Sequence, residues 1–136
     1  MSEYIPNVKI IAIDSEGSVT FGGSPGKRYI PGLGTSVEPP ISERSIYDKL
    51  VRVPEKNTIE MCHRMARKGI LLGGSSGTVL AGIESCKDKI PNDANIVAIS
   101  PDFGERYINT LYNPQWVKSN FYISDDFWLE KVKAAS

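Results

Sequence analysis

Residues 70–83, Ile-Leu-Leu-Gly-Gly-Ser-Ser-Gly-Thr-Val-Leu-Ala-Gly-Ile, constrain this fold more than any other stretch. The short apolar run Ile70 to Leu72 reads as the end of a buried strand. Val79, Leu80 and Ile83 then recur at helical spacing, so the run predicts a helix that continues to about Asp88. Between the two lie Gly73, Gly74, Ser75, Ser76 and Gly77. Glycines let backbone approach a ligand closely, and the first N–H groups of a helix lack internal partners at the positive end of its dipole. Ser75 or Ser76 can cap the helix or offer its hydroxyl to a ligand. The same five residues are also ordinary turn chemistry. They are not a Walker A loop, since no lysine follows Gly77, and their spacing does not match the GxGxxG fingerprint.

The rest of the chain supplies context. Val8 to Ile13 is a nearly continuous apolar run, as expected of a strand covered on both faces in a parallel sheet. Pro6-Asn7 before it reads as a turn leaving a helix, so the expectation is part of a larger fold. Residues 17–45 are rich in Gly, Pro and Ser, with Gly22-Gly23-Ser24-Pro25-Gly26 and Ile30-Pro31-Gly32-Leu33-Gly34. A loop of that length is uncommon in a compact domain unless it is functional or disordered. Its regular punctuation predicts a structured loop. Asp48 to Val53 is a second strand, ended by Pro54. Asn57 is placed to cap a helix with Glu60 in capping-box position, Ile59, Cys62, Met65 and Ala66 on its buried stripe, and Gly69 as its C′ residue. Asn95 to Ser100 reads as another apolar strand, running into Pro101-Asp102. Asn113 to Trp116 reads as a turn, and Ser124 or Asp125 as the cap of a last amphipathic helix bearing Phe127, Trp128 and Val132.

This alternation predicts an α/β fold: a partial, doubly wound parallel sheet with helices on both faces. In such sheets ligands sit at the carboxyl ends of strands. Asp14, the Gly73–Gly77 turn and Pro101-Asp102 all fall at such ends. The expected division is a partial α/β domain over residues 1–117, including the loop 17–45, and a helical tail over 118–136.

Composition narrows the function classes. Apolar content of 40% and charged content of 24% are those of an ordinary globular protein. The formal net charge is zero, which gives no basic surface for nucleic acid or membrane. No apolar run is long enough to span a bilayer, and Met1-Ser2-Glu3-Tyr4 is polar. Cys62 and Cys86, both in predicted helices, fit packed thiols in a reduced, cytoplasmic protein. His63, the only histidine, follows Cys62 directly, so the two point to different parts of a helix and do not form a metal site.

At this point four motifs in order bring a resemblance. Ala66-Arg67-Lys68-Gly69-Ile70-Leu71-Leu72 leading into Gly73-Gly74-Ser75-Ser76-Gly77 resembles the C-terminal part of the cysteine synthase and cystathionine β-synthase family, pyridoxal-phosphate enzymes of fold type II. Ile96 to Tyr107, with its Pro-Asp turn, resembles the same family's next strand. Ile30-Pro31-Gly32-Leu33-Gly34 resembles its glycine-rich entrance loop. Gly17-Ser18-Val19-Thr20-Phe21-Gly22 is most similar to the subgroup that makes the precursor of 2,3-diaminopropionate, whose members join O-phosphoserine to glutamate in siderophore biosynthesis.

The resemblance implies pyridoxal 5′-phosphate as cofactor, with Ser75 hydrogen-bonding its pyridine nitrogen, Gly74, Pro101 and Asp102 beside the ring, and Gly32 and Gly34 at the substrate entrance. It leaves Ser76 as a helix cap. A neutral hydroxyl at the ring nitrogen leaves it unprotonated, a moderate electron sink suited to β-elimination and addition. The implied activity is β-replacement on an O-activated serine, O-phosphoserine or O-acetylserine, by an amine or thiol nucleophile, in a homodimer. Lys27 lies in a loop without the context of the family's Schiff-base lysine, so this chain alone is expected to be inactive, with a further N-terminal part or a partner chain supplying that lysine. The other readings are a non-catalytic binding or regulatory module that retains the fold, and one half of a split enzyme.

Overall fold

The computed structural model describes residues 7–122. Strand β1 (Ile11–Ser15) pairs in parallel with β2 (Lys49–Val53), in a register that sets Ile11 opposite Lys49 and Ser15 opposite Val53. Both strands lie within about three residues of the apolar runs that predict them. Asp48 locks the start of the pair: its carboxylate accepts from the Ile10 amide at 2.7 Å and the Lys9 ammonium at 3.0 Å. The crossover between the strands is the glycine-rich loop, with a single 3-10 turn at Pro40–Arg44.

That loop is structured. The Val19 amide donates to the Thr35 carbonyl at 3.0 Å, and the Gly26 amide to the Gly17 carbonyl at 2.9 Å. The Ser18 hydroxyl accepts from the Thr35 amide at 3.0 Å. Arg52 reaches across from β2 to the Gly22 carbonyl at 2.7 Å.

Helix α1 (Glu55–Ala66) begins earlier than the capping pattern predicts. Pro54 is its N-cap, with no side-chain cap, and Asn57 lies inside the first turn. A proline at that boundary fixes an extended φ and contributes no N–H that would need a partner. The other end follows the sequence. The Gly69 amide donates to the Ala66 carbonyl at 2.9 Å and the Ile70 amide to the Met65 carbonyl at 3.0 Å, a Schellman closure with Gly69 at φ +85°.

Helix α2 (Gly74–Cys86) packs on α1 and on both strands. Its buried face is made of small residues, Gly77, Thr78, Ala81, Gly82 and Cys86, while Val79, Leu80 and Ile83 are half-buried. The reason is proximity. A Cβ at Gly77 would collide with the Cys62 sulfur, and one at Gly82 would sit 2.6 Å from Ile13. Thr58 and Thr78, both fully buried, bond hydroxyl to hydroxyl at 2.8 Å across the same contact.

Helix α3 (Pro114–Phe121) stands where the sequence reading has only a turn. The Asn113 side chain caps it, accepting from the Gln115 and Trp116 amides, and Pro114 opens it. Val117, fully buried, joins Ile30, Leu33, Ile59, Cys62, Leu72 and Leu111 in the main core. The helix expected after Ser124 or Asp125 lies outside the described residues.

Two expected strands are corrected. Residues 70–72 contribute one isolated antiparallel bridge, Leu72 to Phe103, and residues 95–100 form no strand. The sheet among the described residues is therefore two-stranded, open and parallel. A strand needs a neighbour for its amides, and no backbone hydrogen bond reaches 95–100 from the described residues. The apolar side chains there are bare: Val97 is 93% and Ile99 74% exposed.

Candidate cofactor site

The start of α2 is built from two segments held side by side. The Gly73 amide donates to the Asp102 carbonyl at 3.2 Å and the Gly104 amide to the Leu71 carbonyl at 3.0 Å. Tyr112 adds a hydroxyl bond of 2.6 Å to the Leu72 carbonyl. These bonds bring Asp102 against the glycine turn so closely that a Cβ at Gly73 would collide with its carboxylate.

Ser75, half-buried in the first turn of α2, donates its hydroxyl to Asp102 Oδ1 at 3.2 Å. The other oxygen of Asp102 accepts from the Tyr107 hydroxyl at 2.7 Å. Burial and the neighbouring Asp102 carboxylate push the Tyr107 phenol up to about 12, so it stays a proton donor through the neutral range. Ser76 is not a cap. Gly73 is the N-cap residue, and the Ser76 hydroxyl donates to the Asp102 carbonyl at 3.0 Å while accepting from Ser100 at 2.8 Å. The side chains of α2 thus leave its N-terminus free: the amides of Gly74, Ser75 and Ser76 have no partner among the described residues.

The glycine-rich loop reaches this turn through one side chain. Ile30 is buried, and its Cγ2 lies 2.8 Å from where a Cβ at Gly74 would stand. Gly32 is exposed on the same loop, at φ +72°. Gly34 instead packs inward against Ser18 and Arg28. Pro101 is exposed beside Asp102. The structure therefore gathers Gly74, Ser75 and Asp102, brings Ile30 of the glycine-rich loop alongside, and packs Gly34 against Ser18 and Arg28. Asp14 is buried at the carboxyl end of β1, one oxygen taken by the Ser15 amide at 2.8 Å. Lys27, exposed, stacks over the Tyr29 ring at 4.7 Å.

Sequence reasoning missed Glu55 and Tyr107. Tyr107 sits in the Pro-Asp-Phe-Gly-Glu-Arg-Tyr run, five residues after Asp102, where a phenol can turn back to the carboxylate. Glu55 accepts two consecutive amides of the loop, those of Tyr29 and Ile30, at 2.8 Å each. Cys62 and His63 have separate duties. Burial raises the Cys62 thiol to about 11, and the His63 ring meets the Leu111 carbonyl at 2.7 Å.

The glycine–serine turn feeds a helix beside a parallel pair of strands, an α/β arrangement shared with solved structures of fold type II enzymes. The chain belongs to the family of pyridoxal-phosphate dependent enzymes, which it matches over residues 1–102. It is similar to an O-acetylserine dependent cystathionine β-synthase from Helicobacter pylori, at 29% identity and TM-score 0.71 over 80% of this chain. It is similar to an O-ureido-L-serine synthase, at 28% identity and TM-score 0.73 over 95% of this chain. A hydrogen sulfide-producing enzyme from Fusobacterium nucleatum matches at 30% identity and TM-score 0.68 over 78%. The chain spans 36%, 40% and 37% of the lengths of these three, respectively.

Pyridoxal phosphate is the cofactor of this family, and the residues present fit it. Ser75 offers an uncharged hydroxyl suited to a pyridine nitrogen, beside free amides at a helix start. A hollow of about 120 Å³ between α2 and residues 98–100 is mostly apolar and too small for a ring with its phosphate.

Proposed function

We propose that this chain supplies the pyridine side and the substrate entrance of a β-replacement enzyme acting on O-phosphoserine or O-acetylserine with an amine or thiol nucleophile. The observation that carries the reading is the Ser75–Asp102–Tyr107 cluster at the start of α2; Ser75 and Asp102 lie inside the stretch matched to the family, and Tyr107 five residues beyond its end. Similarity to enzymes named for O-acetylserine and O-ureido-L-serine supports a serine-derived substrate.

Bound pyridoxal phosphate supplies the electron sink for loss of the β-substituent. Ser75 Oγ would hydrogen-bond the ring nitrogen. A hydroxyl has one proton, so donating it there gives up the 3.2 Å bond to Asp102, which keeps the shorter bond from Tyr107. Tyr107 holds Asp102, and would keep the turn in place if Ser75 turned its hydroxyl to the ring. Gly73 and Gly74 would let backbone lie close to the ring, and the Ile30–Gly34 loop would narrow the opening. The Schiff-base lysine comes from another part of the protein or from a partner chain. The enzyme is a cytoplasmic homodimer, and its closest role is synthesis of a 2,3-diaminopropionate precursor for siderophores.

The test uses the polypeptide or complex that carries this chain together with the lysine. It is expected to hold the cofactor, seen by its absorbance, and to turn over O-phosphoserine faster than O-acetylserine. Ser75→Ala should shift the cofactor spectrum and slow turnover about tenfold, the worth of one such hydrogen bond. A wild-type protein that binds no cofactor would sink the reading, and a preference for O-acetylserine would move it to the cysteine-forming branch.

A further inference from the structure

Glu55 opens α1, yet its side chain serves the loop 25 residues earlier. Its two carboxylate oxygens accept the backbone amides of Tyr29 and Ile30, each at 2.8 Å, and the residue is only 8% exposed. Two consecutive amides aimed at one carboxylate is a directed clamp, since charge-assisted bonds are about twice as strong as neutral ones. The clamp fixes Ile30, and Ile30 fills the space above Gly74, next to Ser75. Beyond Ile30 the loop turns. The Leu33 amide returns to the Ile30 carbonyl at 3.4 Å, and the Arg28 guanidinium holds the Leu33 carbonyl at 2.7 Å. Glu55 is thus linked to the exposed Gly32 through the Ile30–Leu33 turn.

We infer that Glu55 is a positioning residue: its carboxylate anchors the entrance loop against the start of α2 and so sets the width through which substrate reaches Ser75. This rests on the function proposed above for its second half, the role in substrate entry. The first half, the anchoring, stands on the bonds alone.

Two readouts separate them. In Glu55→Gln, one acceptor oxygen becomes an amide that opposes an N–H donor. Hydrogen exchange at the Tyr29 and Ile30 amides of this chain, followed by NMR, should speed up about tenfold while the interior of α1 stays protected. In the complex that carries the lysine, KM for the amino-acid substrate should rise about tenfold with kcat within about twofold and the cofactor absorbance unchanged. Should Glu55→Gln not fold, Glu55→Asp takes its place; it keeps the charge at the helix start and withdraws the oxygens by one methylene. Unchanged exchange at the two amides overturns the anchoring. Faster exchange with an unchanged KM overturns the role in substrate entry. Failure of the underlying functional reading shows separately, in a wild-type protein without cofactor.

Discussion

Two apolar runs of this chain, residues 8–13 and 95–100, look alike as sequence and end up in opposite circumstances. The first becomes half of a parallel pair, with α2 pressed against Ile13. The second runs unpaired, with Val97 93% exposed. Composition shows that a segment needs cover; it does not show what provides it. The covered run has its partner strand and its helix within the chain. The bare run has neither among the described residues, in a chain that spans 36–40% of the structures it resembles.

The comparison can be broken from the packed side. Gly77→Ala places a methyl group on the Cys62 sulfur, between two helices that cannot part without lifting α2 from the sheet. A loss of about 2–3 kcal/mol is expected, measured by urea unfolding of this chain. A loss within about 0.5 kcal/mol, the range of a surface change, would mean that the packed half is as loose as the bare one.

A smaller effect should come from His63, half-buried between α1 and the carbonyl of Leu111. Burial is the main influence and lowers its pKa from 6.5; the bond to Leu111 opposes this, and Arg67 adds to it. The unfolded chain then binds the proton more readily than the folded one. Stability should therefore be full above about pH 6.5 and decline as pH falls below it. It is the only histidine in the chain. A urea midpoint that falls between pH 7.5 and 5.5 in wild type, and falls less in His63→Gln, would sharpen the picture of a closed packed half. Equal falls in the two would remove it.

The smallest effect belongs to the bare run. Val97→Ser should change the stability of the isolated chain by less than about 0.5 kcal/mol. The same substitution in an assembly that covers residues 95–100 should cost measurably more. A large loss in the isolated chain would show that Val97 is not bare, and would erase the contrast from its other end.

How much of this was legible follows the range of each interaction. β1, β2 and the closure at Gly69 rest on contiguous residues, and the sequence places them within a few positions. The cluster of Ser75 and Asp102 was legible because both sit in compact motifs. Helix α3 was hidden by reading Asn113-Pro114 as a turn, although an asparagine cap followed by proline is also how a helix opens. The small-residue face of α2 was hidden because its larger side chains follow the helical period while its glycines make the closest contacts. The Glu55 clamp was invisible for a plainer reason. Its partners are backbone amides, which every residue but proline carries, so no letter of the sequence marks them.

The glycine face of α2 has a consequence for motion. Where Gly77 meets Cys62 and Gly82 meets Ile13, the helix contributes backbone and no side chain. Backbone has no rotamers to freeze, so seating the helix sacrifices little side-chain freedom on that surface. It also has no rotamers with which to absorb a displacement. A small shift of α1 or of the sheet passes undamped along the helix axis to Ser75. The body of the fold thus sets where the turn stands, and the bond to Asp102 sets where that hydroxyl points.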